Sequence, residues 1–221
     1  MIAPTDICLV GAILLSQPHF RTGSRRKKTS LMPAICVFCG SRPGNNPGFL
    51  AAAEELGDWI SANNWTLIYG GGSTGMMGQI ADTVLDTGGQ IIGVITTQLA
   101  QPDLMHHQVR DMRIVSNMHE RKALMHQLAD VYVTLPGALG TMEEFFEAAT
   151  WAQLNIHSRP VAILNTDGVY NPLVKLLDSM VDADFLASGC RRRIEVFDTP
   201  GELTQWLQNL PVRDSPPPSS H

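Results

Sequence analysis

Val131-Tyr132-Val133-Thr134-Leu135 runs straight into Pro136-Gly137-Ala138-Leu139-Gly140-Thr141 and then into Met142-Glu143-Glu144-Phe145-Phe146. Five residues from the apolar, aromatic and β-branched set have the length of a buried strand, and the proline and glycines behind them end it in a tight loop. The glutamates that follow suit the first turn of a helix. Strand, glycine loop and helix thus stand in immediate succession.

The same unit recurs on both sides of this stretch. Strands are predicted near Ala34–Cys39, Thr66–Tyr69, Gln90–Ile95, Met112–Val115, Val131–Leu135, Val161–Leu164 and Ile194–Phe197, and helices near Leu50–Asn63, Met76–Asp86, Met118–Ala129, Glu143–Ile156, Pro172–Val181 and Pro200–Asn209. Strands rich in Val and Ile that are separated by helices imply a parallel sheet covered on both faces. The expected fold is α/β, a Rossmann-like doubly wound parallel sheet in a single domain over residues 34–210. Such sheets bind ligands at the carboxyl ends of their strands, which directs attention to the loops that follow them.

A chain of 221 residues with 44% hydrophobic, 17% charged and 6% aromatic residues can bury a full core without disulfides or metals. No apolar run approaches the roughly 18 residues of a spanning helix, so no membrane partner is expected. The net charge of −5 is unevenly spread: Arg21, Arg25, Arg26, Lys27 and Lys28 are five of the 16 basic residues, while Asp6 is the sole acid before residue 34. The remainder carries 11 basic against 20 acidic residues. So acidic a body argues against nucleic acid as a partner and leaves phosphate binding to a local site, which suits a mononucleotide better than a polymer.

Residues 1–33 place an apolar stretch before a basic run, the reverse of a signal peptide, and are expected to form a disordered extension ahead of a start at Met32. The Pro/Ser-rich residues 211–221 are expected to be a disordered tail. Cys36 and Cys39 form a C-x-x-C, but inside a strand their spacing sends the two side chains to opposite faces; with Cys8 and Cys190 they read as reduced thiols of a cytoplasmic protein.

Three strand ends carry glycines: Gly40-Ser41-Arg42, Gly70-Gly71-Gly72-Ser73-Thr74-Gly75 and Pro136 to Thr141. Such loops bring backbone amides and a helix start close to a phosphate, although tight turns alone also favour small residues. Gly70-x-Gly72-x-x-Gly75 matches a dinucleotide fingerprint, but the next strand ends Val94-Ile95-Thr96-Thr97-Gln98 without the required acid, and no G-K-[ST] follows. NAD binding and a P-loop are both disfavoured.

Two helix openings carry ionisable groups. In Asn117-Met118-His119-Glu120-Arg121-Lys122, with Ser116 or Asn117 as cap, the cations oppose the helix dipole, which fits either a nearby anion or an exposed surface pair. In Thr141-Met142-Glu143-Glu144 the spacing is that of a capping box, and it equally sets a carboxylate at the mouth of a glycine loop. His106-His107 lacks a third ligand at a metal-site spacing and is assigned to a loop. Met118/Met125 and Leu124/Leu128 recur at helical spacing and are assigned to the core.

Gly70-Gly71-Gly72 with Gly75-Met76-Met77-Gly78, Met118-His119-Glu120-Arg121-Lys122-Ala123 and Pro136-Gly137-Ala138-Leu139-Gly140-Thr141-Met142-Glu143-Glu144 together resemble the LONELY GUY family, whose signature is P-G-G-x-G-T-x-x-E with an upstream R-K. The likeness runs from Ala34 through Thr150-Trp151-Ala152-Gln153-Leu154 to about Phe185. It implies a homodimeric enzyme that hydrolyses cytokinin riboside 5'-monophosphates, and often AMP, to free base and ribose 5-phosphate. Arg121 and Glu144 match the family's catalytic pair. Lys122, Gly137, Ala138, Leu139, Gly140, Thr141, Met142, Glu143 and Thr150 match nucleotide-binding positions, with Gly72 and Asp103 as further substrate contacts upstream. No metal or organic cofactor is implied. Ala138 departs from the family's second glycine, a change that costs about 1 kcal/mol if the position needs positive φ and little if it needs only a small side chain. The alternative is a non-hydrolytic nucleotide-binding or carrier module, which has no need of both Arg121 and Glu144. Family members are also labelled lysine decarboxylases, but Lys122 stands beside Arg121 and Lys175 falls in a late helix, so neither suits a Schiff base with pyridoxal phosphate.

Overall fold

The computed structural model describes residues 33–211, so the extension and the tail lie, apart from Pro33 and Pro211, outside the described residues. Seven strands form one sheet: β1 Ala34–Phe38, β2 Thr66–Tyr69, β3 Gln90–Thr96, β4 Asp111–Val115, β5 Val131–Thr134, β6 Val161–Leu164 and β7 Ile194–Phe197. Their order across the sheet is β4-β3-β2-β1-β5-β6-β7, all parallel. The chain therefore winds outward in one direction from β1, returns, and winds outward in the other. Between the carboxyl ends of β1 and β5 lies the switch point at which such sheets open a crevice.

The helices are α1 Pro47–Ala62, α2 Gly75–Asp86, α3 Met118–Leu128, α4 Leu139–Gln153, α5 Asn171–Asp182, α6 Ser188–Arg191 and α7 Pro200–Gln208. Leu56 and Ile60 of α1, Ile80 of α2 and Leu203 of α7 pack with Val37, Leu67 and Tyr69 on one face of the sheet. Met125 of α3, Phe145 and Ala148 of α4, and Leu173 of α5 pack with Cys36, Phe38 and Tyr132 on the other. Strand residues alternate between these layers because successive side chains point to opposite faces. Cys36 and Cys39 accordingly fall in different layers; neither is in a disulfide, and burial pushes both thiols up.

Every predicted strand is present, and the departures lie in the helices. The α1 helix begins at Pro47 rather than near Leu50, because the Asn46 side chain accepts from the Gly48 amide at 2.9 Å and proline suits the first helical position. The α4 helix begins at Leu139, with Ala138 in the cap position, so Thr141 sits inside the helix and the expected Thr141–Glu144 capping box does not form. A short 3-10 turn at Thr166–Gly168 and the four-residue α6 were not foreseen, being too short to show a periodicity. Met118 is 42% exposed and belongs to a cavity rim rather than the core, whereas Met125 is fully buried. No helix among the described residues is long and apolar enough to cross a membrane.

Candidate functional site

A cavity of about 650 Å³ opens at the switch point. The loops after β1, β2 and β5 enclose it, and Ile95, Leu99, Leu104 and Met118 supply an apolar wall. These loops are stitched together by backbone hydrogen bonds: Gly40 N–H donates to Pro136 O at 3.1 Å, and Met77 N–H to Gly40 O at 3.2 Å. Close approach explains two glycines. A Cβ on Gly70 would collide with Arg121 Nη2, and one on Gly137 would collide with Thr141 Oγ1 and stand 2.8 Å from Gly40 N.

The Asn117 side chain caps α3 by accepting from Glu120 N–H at 3.0 Å, and Glu120 in turn accepts from Ser116 N–H at 3.0 Å. This start directs Arg121 into the protein. Its Nε donates to Val94 O at 2.9 Å, its Nη2 donates to Gly70 O at 3.2 Å, and its Nη1 lies 3.3 Å from Glu144 Oε1. Both partners of this pair are buried. Burial pushes the Glu144 carboxyl up to about 7 against the opposing pull of the Arg121 guanidinium, leaving a buried carboxyl that takes up and releases a proton near neutrality.

Lys122 is buried too, yet it faces another cluster. Its Nζ pairs with Glu143 and, at 2.7 Å, with Glu147. Burial lowers the affinity of this amine for its proton, but the two carboxylates outweigh that and hold it above its usual range. Glu147 also lies 3.0 Å from His126 Nε2; His126 Nδ1 is 2.8 Å from the Tyr132 hydroxyl, to which Arg159 Nη1 donates at 2.9 Å. The anions expected beside Arg121 and Lys122 are thus the glutamates of α4.

Of the residues singled out from the sequence, Gly72, Arg121, Gly137, Ala138, Gly140, Thr141, Glu143 and Glu144 line the cavity together. Lys122, Leu139, Met142, Thr150 and Asp103 do not: Leu139 is 88% exposed, Met142 packs beneath α4, Thr150 is exposed on α4, and Asp103 is exposed one residue before Leu104. Sequence reasoning singled out the Gly40-Ser41-Arg42 loop but not the Arg42 side chain, and it missed the apolar wall and the Glu147–His126–Tyr132–Arg159 network. The spacing of Glu143 and Glu147, one helical turn apart, was the signal available for the last.

Ala138 has φ −109° and ψ −149°, outside the left-handed region, so alanine carries no strain here. Ala138→Gly is therefore expected to leave kcat/KM within error of the parent and to lower stability by about 0.4–1 kcal/mol through the unfolded chain. Denaturant melts and steady-state kinetics check this; a marked gain in either quantity would show that the alanine is strained.

The profile of the family described as "Possible lysine decarboxylase" matches residues 77–207. A probable cytokinin riboside 5'-monophosphate phosphoribohydrolase of Oryza sativa subsp. japonica is 45% identical over 174 residues, covering 79% of this chain and 78% of that protein. A cytokinin riboside 5'-monophosphate phosphoribohydrolase of Arabidopsis thaliana is 42% identical over 174 residues, covering 79% and 81%. Among solved structures, the molybdenum cofactor carrier protein of Chlamydomonas reinhardtii superposes with a TM-score of 0.62 at 22% identity over 80% of this chain and 97% of that one, a likeness of fold alone. With that identity and coverage, and with the family's motifs gathered around one cavity, the chain belongs to the LONELY GUY family of phosphoribohydrolases.

Proposed function

We propose that this chain hydrolyses the N-glycosidic bond of cytokinin riboside 5'-monophosphates, and of AMP, releasing the free base and ribose 5-phosphate. The buried Arg121–Glu144 pair at the cavity carries this reading. As the bond from C1' to the base breaks, its electron pair leaves with the base and positive charge develops on the ribose. Ionised Glu144 stabilises that charge and takes a proton from the water whose oxygen bonds to C1'; the same proton then passes to the departing base. A carboxyl at about 7 suits both transfers. Arg121, fixed by two backbone carbonyls, holds Glu144 in place, and the amides of Gly137 to Thr141 with the start of α4 receive the 5'-phosphate. The apolar wall suits a base with a hydrocarbon substituent.

Lysine decarboxylation has little support from these residues. Of the two lysines among the described residues, Lys122 is engaged by two glutamates and Lys175 is exposed on α5, and neither lines the cavity. A carrier module would use the same loops but gains nothing from a buried carboxyl at the reacting end. We propose further that the chain acts as a homodimer in the cytoplasm. Exposed Leu139, Leu154 and Ile156 at the two ends of α4 support the first, and the buried thiols of Cys36 and Cys39 the second.

The decisive test is to incubate the purified protein with AMP and with isopentenyladenosine monophosphate and follow free base by chromatography. Release of base supports the reading, and intact nucleotide with measurable binding supports the carrier. Because the ionised carboxylate starts the reaction, kcat/KM should rise with pH through about 7 to a plateau. A rate that stays level down to pH 5 would remove Glu144 as the titrating base.

A further inference from the structure

Four charged side chains line the cavity: Arg42, Arg121, Glu143 and Glu144. Arg121 is engaged by two carbonyls and Glu144, and Glu143 is held by Lys122. The guanidinium of Arg42, by contrast, has no ion pair or hydrogen-bond partner among the described residues and is exposed at the cavity. A nucleoside 5'-monophosphate adds a charge of about −1.5 to −2 at neutral pH to a cavity already lined by two glutamates. Backbone amides alone supply partial charges against that load, whereas arginine offers a full charge and a planar fork of donors that matches phosphate oxygens.

We propose, resting on the phosphoribohydrolase reading, that Arg42 is the cation that clamps the substrate's 5'-phosphate and so sets the preference for nucleotides over nucleosides. Its loop is held in place for this. Gly40 bonds to Pro136 on one side and Met77 on the other, and the Thr74 hydroxyl donates to Ser41 O at 3.1 Å. Arg42 thus follows two residues fastened to the neighbouring loops, and it lines the same cavity as Gly137, Ala138, Gly140 and Thr141. Being exposed and unpaired, its side chain breaks no contact when it closes on a phosphate.

The test compares the wild type with Arg42→Ala and Arg42→Lys, using AMP, adenosine and the product ribose 5-phosphate as probes. For Arg42→Ala the ratio of kcat/KM for AMP to that for adenosine should fall about 10- to 100-fold, through KM, with a partial return in Arg42→Lys. Calorimetry should show ribose 5-phosphate bound more weakly by a similar factor. An unaltered ratio, or equal losses on AMP and adenosine, would overturn the assignment. Should the wild type release no base at all, the hydrolytic reading fails, while the ribose 5-phosphate titration still decides Arg42: weaker binding by Arg42→Ala upholds the clamp and equal binding removes it.

Discussion

Glu144→Gln is expected to reduce kcat by about 1000-fold or more while the protein stays folded. Glutamine keeps the shape of the side chain but neither offsets positive charge on the ribose nor accepts a proton from water. The same substitution has a signature in stability. The folded protein holds the Glu144 proton more tightly than the unfolded chain does, so stability drawn from this group is present at low pH and is lost as pH rises from about 4.5 through about 7. The loss amounts to as much as about 3 kcal/mol. In melting curves between pH 5 and pH 8 the wild type should therefore lose more stability, or gain less, with rising pH than Glu144→Gln, while His126 with its lowered pKa contributes the opposite slope equally to both. A variant that turns over near the wild-type rate would take Glu144 out of the mechanism. An unaltered slope would mean that burial does not control its proton.

Arg121→Ala should damage both rate and fold. Its guanidinium satisfies Val94 O and Gly70 O and balances Glu144, all inside the protein. Truncation leaves two carbonyls without a donor and a buried carboxylate without a counter-charge, at a cost of about 3–5 kcal/mol. Arg121→Lys should restore only part of this, since one ammonium on a flexible stem does not reproduce a fork that reaches three acceptors. Gly70→Ala should mimic the loss in milder form by pressing a methyl group against the guanidinium. Urea unfolding and kcat measure the two effects separately. If Arg121→Ala unfolds at the wild-type denaturant midpoint, the pair is not a structural fixture; if it also keeps its rate, the arginine has no part in the chemistry.

The Lys122–Glu147–His126 cluster shows how the site is braced. Lys122 pairs with Glu143 and Glu147 across α3 and α4, and His126 stacks on Trp151 with ring centroids 4.3 Å apart while pairing with Glu147. Burial lowers the His126 pKa against the opposing pull of Glu147, and the neutral tautomer that fits these partners carries its proton on Nε2 toward the Glu147 carboxylate and accepts a hydrogen bond from the Tyr132 hydroxyl at Nδ1. Together these contacts lock the docking of the helix that carries Glu144 against the helix that carries Arg121.

The seven strands, their alternation with helices and the three glycine loops were legible in the sequence, because strand length, apolar composition and turn chemistry are local properties. Which residues meet was not. Neighbours on a helix point about 100° apart, so Arg121 turns to the cavity and Lys122 away from it according to how α3 docks, while on α4 Glu143 and Glu144 both line the cavity but differ in partner, Glu143 pairing with Lys122 and Glu144 with Arg121. The early start of α4 at Leu139 came from backbone geometry at Pro136–Ala138 that no spacing rule announces. Arg42, read from the sequence only as part of a glycine-bearing loop, became a candidate side chain when the order of the strands brought the ends of β1 and β5 together. Sequence alone determined the layers of this protein and the loops that serve them; the packing of those layers decided which of the described charges are buried, which are paired and which face the cavity.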